Sequence, residues 1–482
     1  MNTQYHERNI SMVMDMYELT MSNGYLNQGF KDTWVAFDVF YRNNPDNGGF
    51  AIFAGLQQVV EYIENLHFSE EDVEYLRSKR LFTEEFLEYL LHFRFRGDIY
   101  AMKEGTVMYP NEPVITVVAP LIDAQLIETT ILLEINHQSL IATKTNRIVQ
   151  AANGKPVSDF GARRAHNVDA AVYGARAAYI GGAAGTATVF AGKMFHIPIS
   201  GTMAHSWVMT FDSEYDAFKA YAESYPDGTV LLVDTYDVLK SGVPNAIRTA
   251  REVLEPMGKK LIGIRLDSGD LAYLSKEARK MLDEAGLSDC MIVASNSLDE
   301  YTISSLNRQG AKIDSYGVGE RLITSSSTPV FGAVYKLVAI QKDGKFIPKI
   351  KISETAEKIT NPGIKEVYRV YDENGKAVAD YLAVKGEQIR DFDPVRYVDP
   401  VNYWKNRSFV GCRFKKLQVP VFEKGKRIYD LPDIEEIRQY VKDQLENEIW
   451  EEEQRFENAH THYLDMSPAM FELKMSLLHE EN

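Results

Sequence analysis

The chain has 482 residues, 45% of them apolar and 25% charged, and its 53 basic and 69 acidic residues leave a net charge of −16. This ordinary globular composition excludes a disordered or collagen-like chain and predicts two or three domains of about 150 residues each. The acidic surface argues against nucleic acid and anionic lipid as partners, and two cysteines, Cys290 and Cys412, are too few for a disulfide framework or a cysteine-rich zinc site.

The opening MNTQYHERNISMVMDMYELT has no basic region followed by an apolar one, so no signal peptide is expected. No run of about 18 strongly apolar residues is present. A soluble, cytoplasmic protein is expected.

Residues 1–130 mix helical and strand signals. Residues 53–66 and 69–93 have helical spacing, and 34–40 and 114–118 read as strands rich in β-branched and aromatic residues. From 155 to 340 the rhythm is cleaner. Strands are expected at 229–233, 261–266, 291–294 and 313–316, with helices at 238–257, 271–285 and 299–308 between them. Such βα alternation predicts a parallel sheet with helices outside it. After 340 the texture changes to short strands over 366–423 and an acidic helical stretch over 434–456. The charge run there reads as a solvated helix face. His460 and His462 lie in AHTHYLD, where no paired ligand motif supports a metal.

Polar residues fall just after these strands, where α/β folds carry their chemistry. The segments are SDFGARR, ISGTMAHS, Asp234-Thr-Tyr-Asp237, RLDSGD, Ser295-Asn296 and Gly317-Val-Gly319. Arg265 and Asp267 point to one side of a strand, and an arginine there pairs with a carboxylate or phosphate. Asp267 and Asp270 suit Mg²⁺ or ribose hydroxyls; the plainer alternative is an Arg–Asp salt bridge with a helix cap from Ser268 or Asp270. Asp237 is equally well a helix cap. Arg163 and Arg164 form an anion site or an ordinary surface pair. His205 suits a structural role, a general base or a nucleophile taking a phosphoryl group. The glycines at 317 and 319 suit a phosphate cradle or a tight turn.

Taken together, DMYELTM, residues 37–55, EINH, SDFGARRAH, ISGTMAHSWV, RLDSGD, SNSLDE, GVGERLIT with GAVYKLV, and the tail from VPVFEKGKRIYDLPDIEEIRQY to NAHTHYLDMS resemble the nicotinate phosphoribosyltransferases over nearly the whole chain. The resemblance implies an α/β fold: an irregular (β/α) barrel of the type II phosphoribosyltransferase kind, with an N-terminal mixed α/β domain and a C-terminal extension. The corresponding boundaries are 1–130, 131–345 and 346–482, the first packing with C-terminal segments. It implies a homodimer with shared active sites. It also implies that nicotinate and 5-phosphoribosyl 1-diphosphate give nicotinate mononucleotide and diphosphate in NAD salvage, with Mg²⁺ and with ATP as a co-substrate consumed through a phosphohistidine.

Carried onto this sequence, the resemblance puts catalytic roles on His205, Arg265 and Asp267, with His205 the phosphorylated residue. Tyr17 would stack on the pyridine ring, from the partner subunit. Thr202, Arg265 and Arg163 would contact nicotinate. Asp234 and Asp267 would lie near ribose and Mg²⁺, with Asp270 a further metal candidate. Asn296, Gly317 and Gly319 would lie at the 5′-phosphate. Glu320 stands where some relatives carry a hydroxyl residue, and its charge opposes phosphate unless Arg321 or Mg²⁺ offsets it. Met203 after Thr202 supplies no acid for an amide, which favours nicotinate over nicotinamide as acceptor. A quinolinate-type decarboxylating enzyme is a further alternative, disfavoured because those chains are shorter and need no phosphohistidine; a catalytically silent nucleotide-binding relative is another, and the intact set Arg163, His205, Arg265 and Asp267 argues against it.

Overall fold

The computed structural model describes residues 8–355, 358–404 and 406–480. Residues 1–7 of the opening segment, and the last two of the expected C-terminal extension, therefore lie outside the described residues. Packing divides the chain into two units, Met1–Leu140 with Val330–Asn482, and Ile141–Pro329.

The first unit holds two larger sheets. In one, Trp34–Phe40 is paired antiparallel with Val334–Lys342 on one side and Ile115–Pro120 on the other, and the ladder continues through Asp98–Met102 to Gln418–Glu423. The sequence WVAFDVF is buried along nearly its whole length. Its one acid, Asp38, is satisfied by the Thr116 hydroxyl at 2.7 Å and by the ammonium of buried Lys365. The other sheet contains Lys365–Tyr371, Ala377–Val384 and Leu464–Met466.

The helical region at 53–66 narrows to Leu56–Asn65 because Gly55 turns the chain at φ 104°, where a side chain would also meet the Glu134 carbonyl. Residues 69–93 divide into Glu70–Ser78 and Glu84–Leu91, each started by a hydroxyl cap, Ser69 and Thr83.

The acidic stretch at 434–456 is not one solvated helix. Ile434–Asp443 runs into a wider turn at Gln444–Glu448, and a separate short turn follows at Glu451–Gln454. Within it Glu453 is buried: it accepts the Tyr109 hydroxyl at 2.6 Å and faces His462 Nδ1 at 3.0 Å. His462 is thus an internal ion-pair partner, stacked 3.7 Å from Tyr109.

The second unit carries the alternation expected for it. Six strands form a parallel sheet in the order Gly185–Thr186, Val157–Asp159, Ser315–Val318, Met291–Ser295, Gly263–Leu266, Val230–Leu232. A parallel bridge from Thr186 to Ile199 extends one edge. The strands are short and mostly buried, with helices such as Val168–Ile180 and Leu271–Glu284 in the connections between them. The hydrogen-bonded ladder itself consists of these six strands and that bridge. Its adjacent carboxyl ends lie side by side, which brings distant stretches of sequence together.

Candidate active site

Arg265 lies in the Gly263–Leu266 strand, and its guanidinium is held on three sides. Nε donates to Ser295 Oγ at 2.8 Å, one terminal nitrogen to Thr202 Oγ1 at 3.0 Å, and the other to Asp267 Oδ1 at 2.9 Å. An arginine has five N–H groups, so these three bonds leave two for a ligand. Ser295 comes from the neighbouring strand end, because the parallel register sets Leu266 opposite Ala294 and thus Ser295 beside Asp267, and Thr202 comes from the loop after Ile199.

Asp234, just after the Val230–Leu232 strand, is the second hub. It accepts the Asp267 backbone N–H at 3.2 Å and the Ser268 hydroxyl at 2.5 Å, and its other oxygen lies 3.3 Å from His205 Nε2. His205 opens the His205–Thr210 helix and is more exposed than Asp234.

Thr202, His205, Arg265 and Asp267 line a cavity of about 590 Å³ with Phe160, Arg163, Ile199, Gly201 and Met203 among its walls. Phe160 stands directly after the Val157–Asp159 strand, and the Arg265 guanidinium lies 5.5 Å from its ring centre. Gly317 makes room for it: a Cβ there would fall 2.4 Å from the Phe160 ring. Beneath, Asp159 is buried and accepts from Thr186 Oγ1 at 2.7 Å and from the Gly161 N–H at 2.8 Å. Burial raises its carboxyl above the ordinary range, against those two bonds.

The expected residues are therefore gathered unevenly. Arg163, Thr202, His205, Arg265 and Asp267 line the cavity, and Asp234 joins them by hydrogen bonds. Asn296, Gly317, Gly319 and Glu320 occupy neighbouring strand ends of the same unit, outside that lining. Asp270 caps the Leu271–Glu284 helix through the Tyr273 N–H at 3.0 Å, and Asp237 caps its own turn through Leu239 and Lys240. Tyr17 belongs to the other unit, on the helix Met16–Asn27, where burial and then nearby Glu128 raise its phenol.

Glu320 is offset by Arg164, 3.6 Å away, rather than by Arg321. Arg321 is committed to Asp299 at 2.5 Å. Burial works to raise Asp299, but bonds from Thr302 and Arg321 outweigh it and hold the carboxyl low. Phe160 and Ser295 lie in segments the sequence marks but carry no role there. Each directly follows or ends a strand, the same positional signal that marked Arg163 and Asn296.

A cavity at the carboxyl ends of parallel strands, holding an engaged arginine with spare N–H groups beside carboxylates and an aromatic wall, has the place and the groups of an α/β enzyme's ligand site. Comparison with known proteins gives the particular family. Three family models match in order: the nicotinate phosphoribosyltransferase N-terminal domain over residues 12–136, the nicotinate phosphoribosyltransferase family over 156–374, and its C-terminal domain over 364–474. Nicotinate phosphoribosyltransferase of Bacillus subtilis is 46% identical, over 99% of this chain and 96% of that protein. The crystal structure of human nicotinic acid phosphoribosyltransferase superposes with a TM-score of 0.86 at 27% identity, over 96% of this chain and 99% of that one. That of nicotinate-nucleotide pyrophosphorylase from Pyrococcus furiosus gives 0.69 at 26%, over 93% and 97%. The chain belongs to the nicotinate phosphoribosyltransferase family of enzymes. No helix among the described residues is long and apolar enough to cross a membrane.

Proposed function

We propose that this enzyme joins nicotinate to 5-phosphoribosyl 1-diphosphate, forming nicotinate mononucleotide and diphosphate for NAD salvage in the cytoplasm, and that ATP is consumed through phosphorylation of His205. The observation that carries the reading is Arg265, fixed by Thr202, Ser295 and Asp267 with N–H groups to spare, beside the Phe160 ring. A planar guanidinium pairs with a ring carboxylate, and Phe160 offers that ring an apolar face. The pyridine nitrogen is itself the nucleophile at ribose C1, so the chain has no proton to remove there. A carboxylate near C1 stabilises the cationic character that builds as diphosphate departs; Asp267 and Asp234 are the candidates.

Among the described residues no group of three or more His, Cys, Asp or Glu is assembled to hold a metal. Mg²⁺ in its usual mode needs only one or two carboxylates together with substrate phosphates. Asp267 is the better placed, since it lines the cavity, whereas Asp270 lies outside that lining and caps a helix. Bound there, Mg²⁺ would neutralise the leaving diphosphate.

His205 is not needed as a base, which leaves it for energy coupling. With a proton on Nε2 donated to Asp234, Nδ1 carries the lone pair that accepts a phosphoryl group. A homodimer is part of the same proposal, with Tyr17 of each subunit stacking on the pyridine ring in its partner's site. The reading is tested by product formation from nicotinate and 5-phosphoribosyl 1-diphosphate, with nicotinamide competing. Preference for nicotinate supports it; equal or better use of nicotinamide counts against the acceptor.

A further inference from the structure

Ser295 is the last residue of the Met291–Ser295 strand and is 3% exposed. Its Oγ accepts from Arg265 Nε at 2.8 Å and donates to Asp267 Oδ1. The same Asp267 oxygen accepts from Arg265 at 2.9 Å. One buried hydroxyl thus closes a ring of hydrogen bonds through the arginine and the aspartate.

The backbone is bent to place it. Immediately after Ser295 the chain takes φ 88° at Asn296 and φ 51° at Ser297, a region that non-glycine residues adopt at a steric cost. Two such residues in succession end the strand abruptly, with Ser295 beside Asp267 of the neighbouring strand. Strain of this kind persists where the surrounding contacts over-determine the geometry, and the ring of bonds is such a contact set.

We propose that Ser295 is a positioning residue that sets affinity for the substrate carboxylate. It does so by fixing the Arg265 guanidinium at Nε and by occupying Asp267 Oδ1. Without the hydroxyl, Asp267 is free to turn both its oxygens onto Arg265, a two-pronged pair that uses the N–H groups a substrate carboxylate needs. The inference rests on the reading of Arg265 as the nicotinate carboxylate's partner.

The test is steady-state kinetics on the full-length enzyme for Ser295→Ala, Ser295→Cys and Ser295→Thr, with thermal unfolding in parallel. Turnover of nicotinate by wild type checks the underlying reading separately, before any variant is compared. Ser295→Ala is expected to raise KM for nicotinate about tenfold, the scale of a lost hydrogen bond to a charged group, and by more than it raises KM for 5-phosphoribosyl 1-diphosphate. Ser295→Cys keeps the volume with a weak donor and is expected to follow Ala, so it carries the test if Ala does not fold. Ser295→Thr keeps a hydroxyl and is expected to recover most of the lost affinity. Unchanged KM in Ala or Cys overturns the proposal. So does an equal rise in both KM values that tracks a fall in melting temperature, or failure of Thr to recover affinity.

Discussion

His205 Nε2 stands 3.3 Å from Oδ1 of Asp234, whose side chain is 1% exposed, and the other oxygen of that carboxylate accepts the Asp267 backbone N–H. One buried acid therefore joins the histidine to the strand end that carries Arg265 and Asp267. If phosphorylation of His205 drives the enzyme, Asp234 is where the two halves meet.

Asp234→Asn keeps an acceptor for the Asp267 N–H but removes the charge that orients the imidazole. Stimulation by ATP is expected to fall about tenfold, the scale of a lost charged bond, and further than the ATP-independent rate. The check is the ratio of initial rates with and without ATP. A ratio equal to wild type would remove Asp234 from the coupling.

Gly317→Ala tests whether the Phe160 wall matters. The new Cβ would sit 2.4 Å from the ring, so the ring must move. Overpacking of this kind costs about 1–3 kcal/mol. A loss of nicotinate affinity larger than the loss in 5-phosphoribosyl 1-diphosphate affinity is expected. Unchanged kinetics would show that the ring's position is not used.

In the first unit Arg369 is buried with Asp380, bonded at 2.8 and 2.9 Å, and also donates to the Val107 carbonyl at 2.8 Å. Arg369→Met leaves Asp380 with His462, 3.6 Å away, as its ion-pair partner. Breaking one side of a buried pair costs about 3–5 kcal/mol. Urea denaturation of the variant is expected to show an unfolding free energy lower by that amount and a correspondingly lower midpoint, and Arg369→Met with Asp380→Asn a smaller loss than Arg369→Met alone. A wild-type midpoint would mean that the pair contributes nothing net.

Glu18 gives a pH dependence. Its buried carboxyl is pushed up to about 7, mainly by burial and against bonds from Thr129 and Asp15. The folded state then holds a proton that the unfolded chain releases from about pH 4.5 upward, so this group's contribution to stability falls as pH rises towards 7 and is flat above it. Glu18→Gln removes that slope while keeping an oxygen for the same donors. Melting curves from pH 4.5 to 8 are expected to diverge in the variant's favour by about 2 °C or more at the alkaline end. Parallel curves would contradict the assignment.

The strand ends of the second unit were legible because short apolar runs each stop at a polar or glycine residue, as at Asp234, Asp267 and Ser295-Asn296. The partners were not. That Thr202 and Ser295 grip one arginine depends on strand order and register, which no local pattern contains. The caps at Asp237 and Asp270 were visible as alternatives, since a cap and a ligand use the same residue types. The 434–456 stretch was misread because its charges hide Glu453, whose partners Tyr109 and His462 are supplied by distant parts of the chain. The family, by contrast, was readable from ordered motifs such as SDFGARRAH and RLDSGD spread over nearly the whole sequence.

The most direct measurement is nicotinate mononucleotide formation from nicotinate, 5-phosphoribosyl 1-diphosphate and Mg²⁺, with and without ATP, on wild type and His205→Ala. Product is expected from wild type, stimulated by ATP, with no ATP stimulation in the variant. Absence of product from wild type, or full ATP stimulation in His205→Ala, would contradict the proposed function.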